Sequence, residues 1–291
     1  MHYFYQVQEL VVSNIESSQI NYQMIELGIQ HEKQHQELII MDLKYILSKS
    51  LGLIGKSPSF LQYSPKEMSK NSWISFDGGI NEFGAREDEG FYFDNENPRH
   101  QEIIRPFEIQ SELVTNGDYL EFIEAGGYTR PELWLSDGLD WVRKNNIQSP
   151  LYWFSDGENL RENLRENFFG QSREINLNEP VSHINFYEAD AYARFCQKRL
   201  PSEFELELYF QNLKMSDLWS WSNSFYQGYP GFKPFEGFAK EYNEKFMSGQ
   251  ITLRGGCLAT RDNHYRHTYR NFYRPENRWQ FSGIRLVKDI Q

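Results

Sequence analysis

From Ile20 to Tyr45, inward-facing positions recur at steps of three and four, through Met24, Leu27, His31, Gln34/His35, Leu38 and Met41/Asp42. That spacing predicts one helix over residues 20–47 with a single face turned toward a core. An earlier helix is predicted over 3–17, closing in the polar run Ser13 to Gln19. At Ser48 the pattern breaks, and SKSLGLIGKSPSFLQYSPKEMSKNS, rich in Gly, Pro and Ser, reads as a linker. Beyond Asn71, short apolar runs such as SWISFDGG, RPFEIQ, QITLRGG and FSGIRLV are separated by turns. Two helical islands interrupt them, TNGDYLEFIEAGG at 115–127 and NFYEADAYARFCQKRL at 185–200. Thr115 stands where a cap is needed, and Gly126-Gly127 where the first island must stop. The fold class read from this pattern is α+β: a helical segment over 1–50, a linker over 51–70 and an irregular body over 71–291.

The long helix carries HEKQHQE at 31–37. Residues four apart on a helix stand one above the other, so His31 and His35 can share one metal ion. The same letters fit the HExxH pattern of zinc hydrolases, with Glu32 as general base. That reading needs a third ligand, and after His35 the chain runs QELIIM, with only acidic residues such as Asp42 to offer. The plain alternative is two solvated histidines on a helix. Gln34 can donate an amide hydrogen to a bound imidazole, or bond to a neighbouring helix. Glu37 can hold the far nitrogen of a ligating histidine, or sit on the surface.

Composition narrows the choice. The 291 residues carry a formal net charge of −11, which repels nucleic acid. Two cysteines, Cys196 and Cys257, make no disulfide framework. No run of about 18 apolar residues is present to span a membrane, and the N-terminus lacks a secretory pattern. A cytoplasmic location without a membrane or nucleic-acid partner is expected. The 22 Phe, 18 Tyr and 7 Trp suit a loop-rich fold with aromatic-lined pockets.

Longer runs make the chain recognisable. HEKQHQELIIMDLKYIL, FDNENPRHQEIIRPFEIQSELVTNGDYLEFIEAGGY, SHINFYEADAYARFCQKRLPSEFELE and EYNEKFMSGQITLRGGCLATRDNHYRHTYRNFYRPENRWQFSGIRL together resemble the ergothioneine-biosynthesis sulfoxide synthases of the EgtB type. The resemblance implies a partial DinB-like helical bundle, followed by a formylglycine-generating-enzyme-like (sulfatase-modifying-factor, C-type-lectin-like) domain. It implies an enzyme that uses non-haem Fe(II) and O2 to join cysteine or γ-glutamylcysteine to the imidazole of trimethylhistidine (hercynine). His31 and His35 would be metal ligands, and Gln34 would contact the substrate imidazole. Asn271, Phe272 and Tyr273 match the family's betaine-binding triplet. Some members have Trp and Asp in its last two places, a difference that leans toward free cysteine as thiol donor. The match begins at the family's third helix, so a further histidine ligand and the thiol-binding arginines have no counterpart. A longer chain of which this is part, a separate chain or oligomer partner that supplies them, and a decayed paralogue that has lost them are the alternatives. A catalytically inactive binding module is the alternative.

Two further assignments concern the tail and a loop. Arg261, Arg266, Arg270, Arg274 and Arg278 cluster near the C-terminus. One is available to a substrate carboxylate, while internal ion pairs account for most of them. The reaction needs a proton donor, and a phenol suits. Tyr229 is the first choice and Tyr226 the second, although YPGF is also an ordinary aromatic turn. No close cysteine pair is present for copper-dependent formylglycine formation.

Overall fold

The computed structural model describes residues 2–16, 22–49, 61, 63, 72–155, 163–211, 213, 215–236 and 242–290. The linker expected over 51–70 therefore lies outside the described residues, apart from Leu61 and Tyr63. Helix α1 spans His2–Glu16 and α2 spans Tyr22–Ser48, close to the expected bounds.

The body is built from small sheets and short capped helices. Among the described residues the largest sheet has four strands in the order β10-β9-β8-β11: Asn271–Tyr273, Ile251–Arg254, Trp219–Phe225 and Ser282–Gly283. Helix α3 (Asn116–Glu124) starts at Thr115, whose hydroxyl accepts from the Asp118 N–H while Asp118 bonds back. It ends before Gly126, which takes the left-handed conformation at φ 78°. Helix α5 (Phe186–Phe195) starts from the same device at Asn185 and Glu188. It is shorter than the island at 185–200, because Gln197 turns left-handed at φ 55° and stops it.

Two helices escape the periodicity reading. Helix α4 (Ser136–Asn145) is short and holds Gly138. Helix α6 (Glu203–Phe210) alternates acidic and apolar residues, a period-two pattern. The Ser202–Glu205 capping box sets it as a helix. Its glutamates are buried because the body supplies cations and donors. Glu203 meets Arg254 and Arg270, Glu205 meets Arg199, and Glu207 accepts from the Gly84 N–H at 2.8 Å.

The inward face of α2 differs from the expected stripe. Gln30, Glu37, Met41 and Lys44 are buried, whereas Met24, His31, His35, Asp42 and Tyr45, expected on the inward face, are exposed. Polar partners on the body set this rotation. Gln30 Oε1 accepts from His264 Nδ1 at 2.6 Å, Glu37 accepts from Trp219 Nε1 at 2.7 Å, and Lys44 Nζ meets His183 Nε2 at 2.7 Å. The flank away from the body keeps Tyr22, Ile29, Ile39, Leu43 and Ile46 exposed.

Burial holds both imidazoles at this interface below their ordinary value, helped at His264 by Arg266 and Lys33, and at His183 by Lys44. His264 is brought to about 3. Each histidine is neutral when docked and protonates more readily when released. The stability they lend is intact above about pH 6.5 and falls as the pH drops below it. His264→Asn, which keeps a donor but cannot titrate, is expected to flatten the pH dependence of unfolding between pH 6.5 and 5. The difference from wild type should approach ~1.4 kcal/mol per pH unit. Urea titrations of both proteins at three pH values measure it.

Candidate active site

His31 and His35 stand one turn apart on α2, with Nε2 atoms 3.1 Å apart and rings inclined at 73°. Two nitrogens bound at about 2.1 Å to one ion, at right angles, stand about 3.0 Å apart. The pair therefore fits two adjacent ligand positions of a single metal ion. Burial, then the neighbouring His35, lowers the pKa of His31 and favours the neutral imidazole that ligation needs. Among the described residues no third His, Cys, Asp or Glu joins them. Asp42 is exposed and lies about 10 Å further along the helix, so it does not complete a hydrolase ligand set.

Facing the histidines is a cavity of about 450 Å3, bounded by α2, by the 242–246 segment and by β10. Gln34 is held between two phenols: its Nε2 donates to the Tyr269 hydroxyl at 2.6 Å, and the Tyr242 hydroxyl donates to its Oε1. Tyr242 lies edge-on to His31, centroids 5.4 Å apart, and stacks on Phe93. The second amide hydrogen of Gln34 remains for a ligand.

Strand β10 pairs with β9, Asn271 opposite Leu253 and Tyr273 opposite Ile251. Asn271 borders the cavity, its Oδ1 accepting from the Phe272 N–H at 2.9 Å. Phe272 is backed by Tyr226 at 4.1 Å, and Tyr273 is braced against Met41 of α2 and edge-on to Trp279. The sequence-predicted residues His31, Gln34, His35, Asn271, Phe272 and Tyr273 thus line one space. Tyr242, Tyr269 and Trp279 were not singled out. Alternation along 269, 271 and 273 was the available signal for Tyr269.

Neither expected proton donor lines that cavity. Tyr226 accepts from Asn95 Nδ2 at 2.8 Å behind Phe272. Tyr229 accepts from Arg254 at 2.5 Å and lies under the Arg270 guanidinium. Burial pushes both phenols up, and their hydroxyls accept hydrogen bonds inside the body, away from the cavity lining. Of the five arginines, Arg266 pairs with Glu96, Arg270 with Glu203 and Arg278 with Glu188, while Arg261 and Arg274 are exposed away from the cavity lining. Glu37 is neither a surface charge nor paired with a histidine: it accepts from Trp219 and from Thr260 at 2.5 Å, and burial raises its pKa. Cys196 and Cys257 are both free.

Residues 59–225, more than half the chain, match the model of the sulfatase-modifying factor enzyme 1-like domain. The chain belongs to that family. Its sequence is similar to the hercynine oxygenase of Mycolicibacterium smegmatis, 30% identical over 247 residues, covering 68% of this chain and 56% of that protein. The hercynine oxygenase of Mycobacterium tuberculosis is 28% identical over 311 residues, covering 90% of this chain and 70% of that protein. This family member thus spans little more than half the length of the first of these relatives. Among solved structures, PvdO from Pseudomonas aeruginosa shares the fold, with a TM-score of 0.50 and 16% identity over 75% of this chain and 94% of that one. These matches agree with the α+β, formylglycine-generating-enzyme-like fold and the EgtB-type resemblance read from the sequence. No described helix is long and apolar enough to cross a membrane.

Proposed function

We propose that this chain forms the metal- and betaine-binding part of an oxygen-dependent sulfoxide synthase of ergothioneine biosynthesis. The observation that carries the reading is the shared cavity, which brings the imidazole pair of α2 within one small-molecule space of Gln34 and Asn271. His31 and His35 would hold Fe(II), which when bound supplies the reduction of O2 and a seat for the substrate thiolate. Gln34, with its carbonyl fixed by Tyr242, turns its remaining N–H toward a nitrogen of the hercynine imidazole. Phe272 and Tyr273 offer ring faces to the trimethylammonium group, which aromatic surfaces favour. Asn271 donates to the betaine carboxylate. In the overall reaction a thiol S–H and an imidazole C–H are lost, a C–S bond forms, one oxygen atom ends on sulfur and the other leaves as water.

Tyr242 replaces Tyr229 as the assigned proton donor because it lines the cavity beside His31, and delivery of its proton would release the bond it makes to Gln34 Oε1. Among the described residues no third nitrogen ligand joins the pair, so the reading requires one, and the contacts to the thiol's carboxylate, from outside them. Free cysteine is the proposed donor, since the guanidinium lining the cavity, Arg270, is taken by Glu203.

The test is anaerobic Fe(II) loading followed by oxygen uptake and product mass with hercynine plus cysteine or γ-glutamylcysteine. A sulfoxide formed only when both substrates are present supports the reading, and uptake indifferent to hercynine contradicts it. Asn271→Ala is expected to raise the KM for hercynine roughly 10–100-fold, the loss of one charge-assisted hydrogen bond, with a smaller change in kcat.

A further inference from the structure

Lys44, nine residues beyond His35, is fully buried, and among the described residues no carboxylate forms an ion pair with it. Its Nζ meets His183 Nε2 at 2.7 Å and is surrounded by ring faces: Phe168 at 4.7 Å, Tyr152 at 4.9 Å, Phe281 at 5.2 Å and Phe169 at 5.9 Å. The acidic groups nearby, Glu166 and Glu179, are already engaged by Arg173 at 2.6 and 3.1 Å. Ring quadrupoles and one imidazole therefore replace the usual counter-ion.

The cage is built at some cost to the backbone. Tyr152, Phe169 and His183 all adopt left-handed φ angles, 80°, 52° and 59°, which residues with side chains rarely take. Phe169-Gly170 forms the two-residue turn between β6 (Leu164–Phe168) and β7 (Gln171–Glu174), with both φ positive. Such a turn favours Asn, Asp or Gly at the place Phe169 occupies. The turn does not ask for an aromatic ring there, but the ammonium does. Strained residues from three separate segments thus converge on the single cation that α2 inserts.

We propose that Lys44 is a positioning residue: its ammonium, seated in this aromatic cage and bonded to His183, fixes the rotation of α2 and so aims His31 and His35 into the cavity. The cage is then an ammonium-binding site of the body, occupied by the helix itself. A one-residue slip turns a helix by about 100°, enough to carry both imidazoles off the cavity. The paired contact at the other end, Gln30 with His264, lies one residue before His31, so the two histidines are held between two anchors. This inference rests on the reading of His31 and His35 as ligands, but its test includes a measurement free of metal.

Lys44→Ala deletes the atoms Cγ to Nζ, which together have the shape and charge of n-propylammonium. Two quantities are read on the full chain: amide hydrogen exchange over residues 26–38, and affinity for Co(II) from its visible absorption. The variant is expected to exchange about 10-fold faster or more over that segment and to bind Co(II) roughly 10–100-fold more weakly. Saturating n-propylammonium is expected to restore both, and 1-propanol, its uncharged counterpart, neither. Lys44→Met keeps the length without the charge and serves if the alanine variant does not fold. It is expected to show the same losses. Equal rescue by 1-propanol, or a methionine variant indistinguishable from wild type, overturns the proposal. If the wild type binds no Co(II), the ligand reading fails, while hydrogen exchange still decides the role of Lys44.

Discussion

His31→Ala and His35→Ala are each expected to remove measurable Fe(II) binding while leaving the fold's stability within about 0.5 kcal/mol of wild type. The two effects separate because of where the side chains lie. Both imidazoles are exposed at the cavity, so deleting them opens no core void. Their Nε2 atoms, 3.1 Å apart, are the only contacts that the described part of the site offers an ion as a close pair. Loss of an outer-shell partner alone typically costs 10–100-fold in metal affinity, and loss of a direct ligand costs more. Oxygen uptake should fall with the metal. Anaerobic dialysis followed by iron analysis, beside a urea titration of the same samples, measures both. Retention of stoichiometric iron in either variant removes the metal assignment, whereas loss of iron together with several kcal/mol of stability points to a structural role for the histidines.

The largest effect on stability is expected at Glu203. Arg254 and Arg270, both buried, converge on its carboxylate: Arg254 at 3.0 Å, and Arg270 through two bonds at 2.8 and 3.0 Å. Burial opposes the charge of Glu203, but Arg270 and Arg254 outweigh it and hold the carboxyl below its usual range. Glu203→Gln keeps the shape and removes the charge, leaving two buried guanidiniums with Glu207 as the remaining carboxylate beside Arg254. Stranding a buried charge costs roughly 3–5 kcal/mol. The loss should reach the cavity, because Arg254 ends β9 and Arg270 immediately precedes β10. Chemical denaturation measures the change, and a loss under about 1 kcal/mol would show that water or neighbouring carbonyls compensate the arginines.

What could be read in the sequence depended on how local its cause is. Helix α3 was legible because Thr115, Asp118 and Gly126 lie within the segment they cap. Helix α2 was legible in extent, but its inward face was not. The stripe was drawn through apolar positions, whereas Gln30, Glu37 and Lys44 are buried by partners 139 to 234 residues away. Helix α6 escaped because its acidic and apolar residues alternate with period two, and Glu203, Glu205 and Glu207 are buried only through partners such as Arg199, Arg254 and Arg270. Tyr229 was chosen because a phenol suits proton donation, and only the fold shows it bonded to Arg254 away from the cavity lining. The histidines and Gln34 were legible as neighbours on one helix turn, the Asn271–Tyr273 triplet only through the family resemblance, and their convergence on one cavity is what the structure adds.

The central claim, that the imidazole pair and the Asn271 wall serve one substrate, can be tested by paramagnetic relaxation. The nine equivalent N-methyl protons of hercynine are observed by NMR with the protein loaded with Mn(II). The account predicts strong, saturable relaxation enhancement that is lost in the His31→Ala/His35→Ala double variant and weakened in Asn271→Ala. Hercynine that binds without enhancement, or enhancement that survives the loss of both histidines, would contradict it.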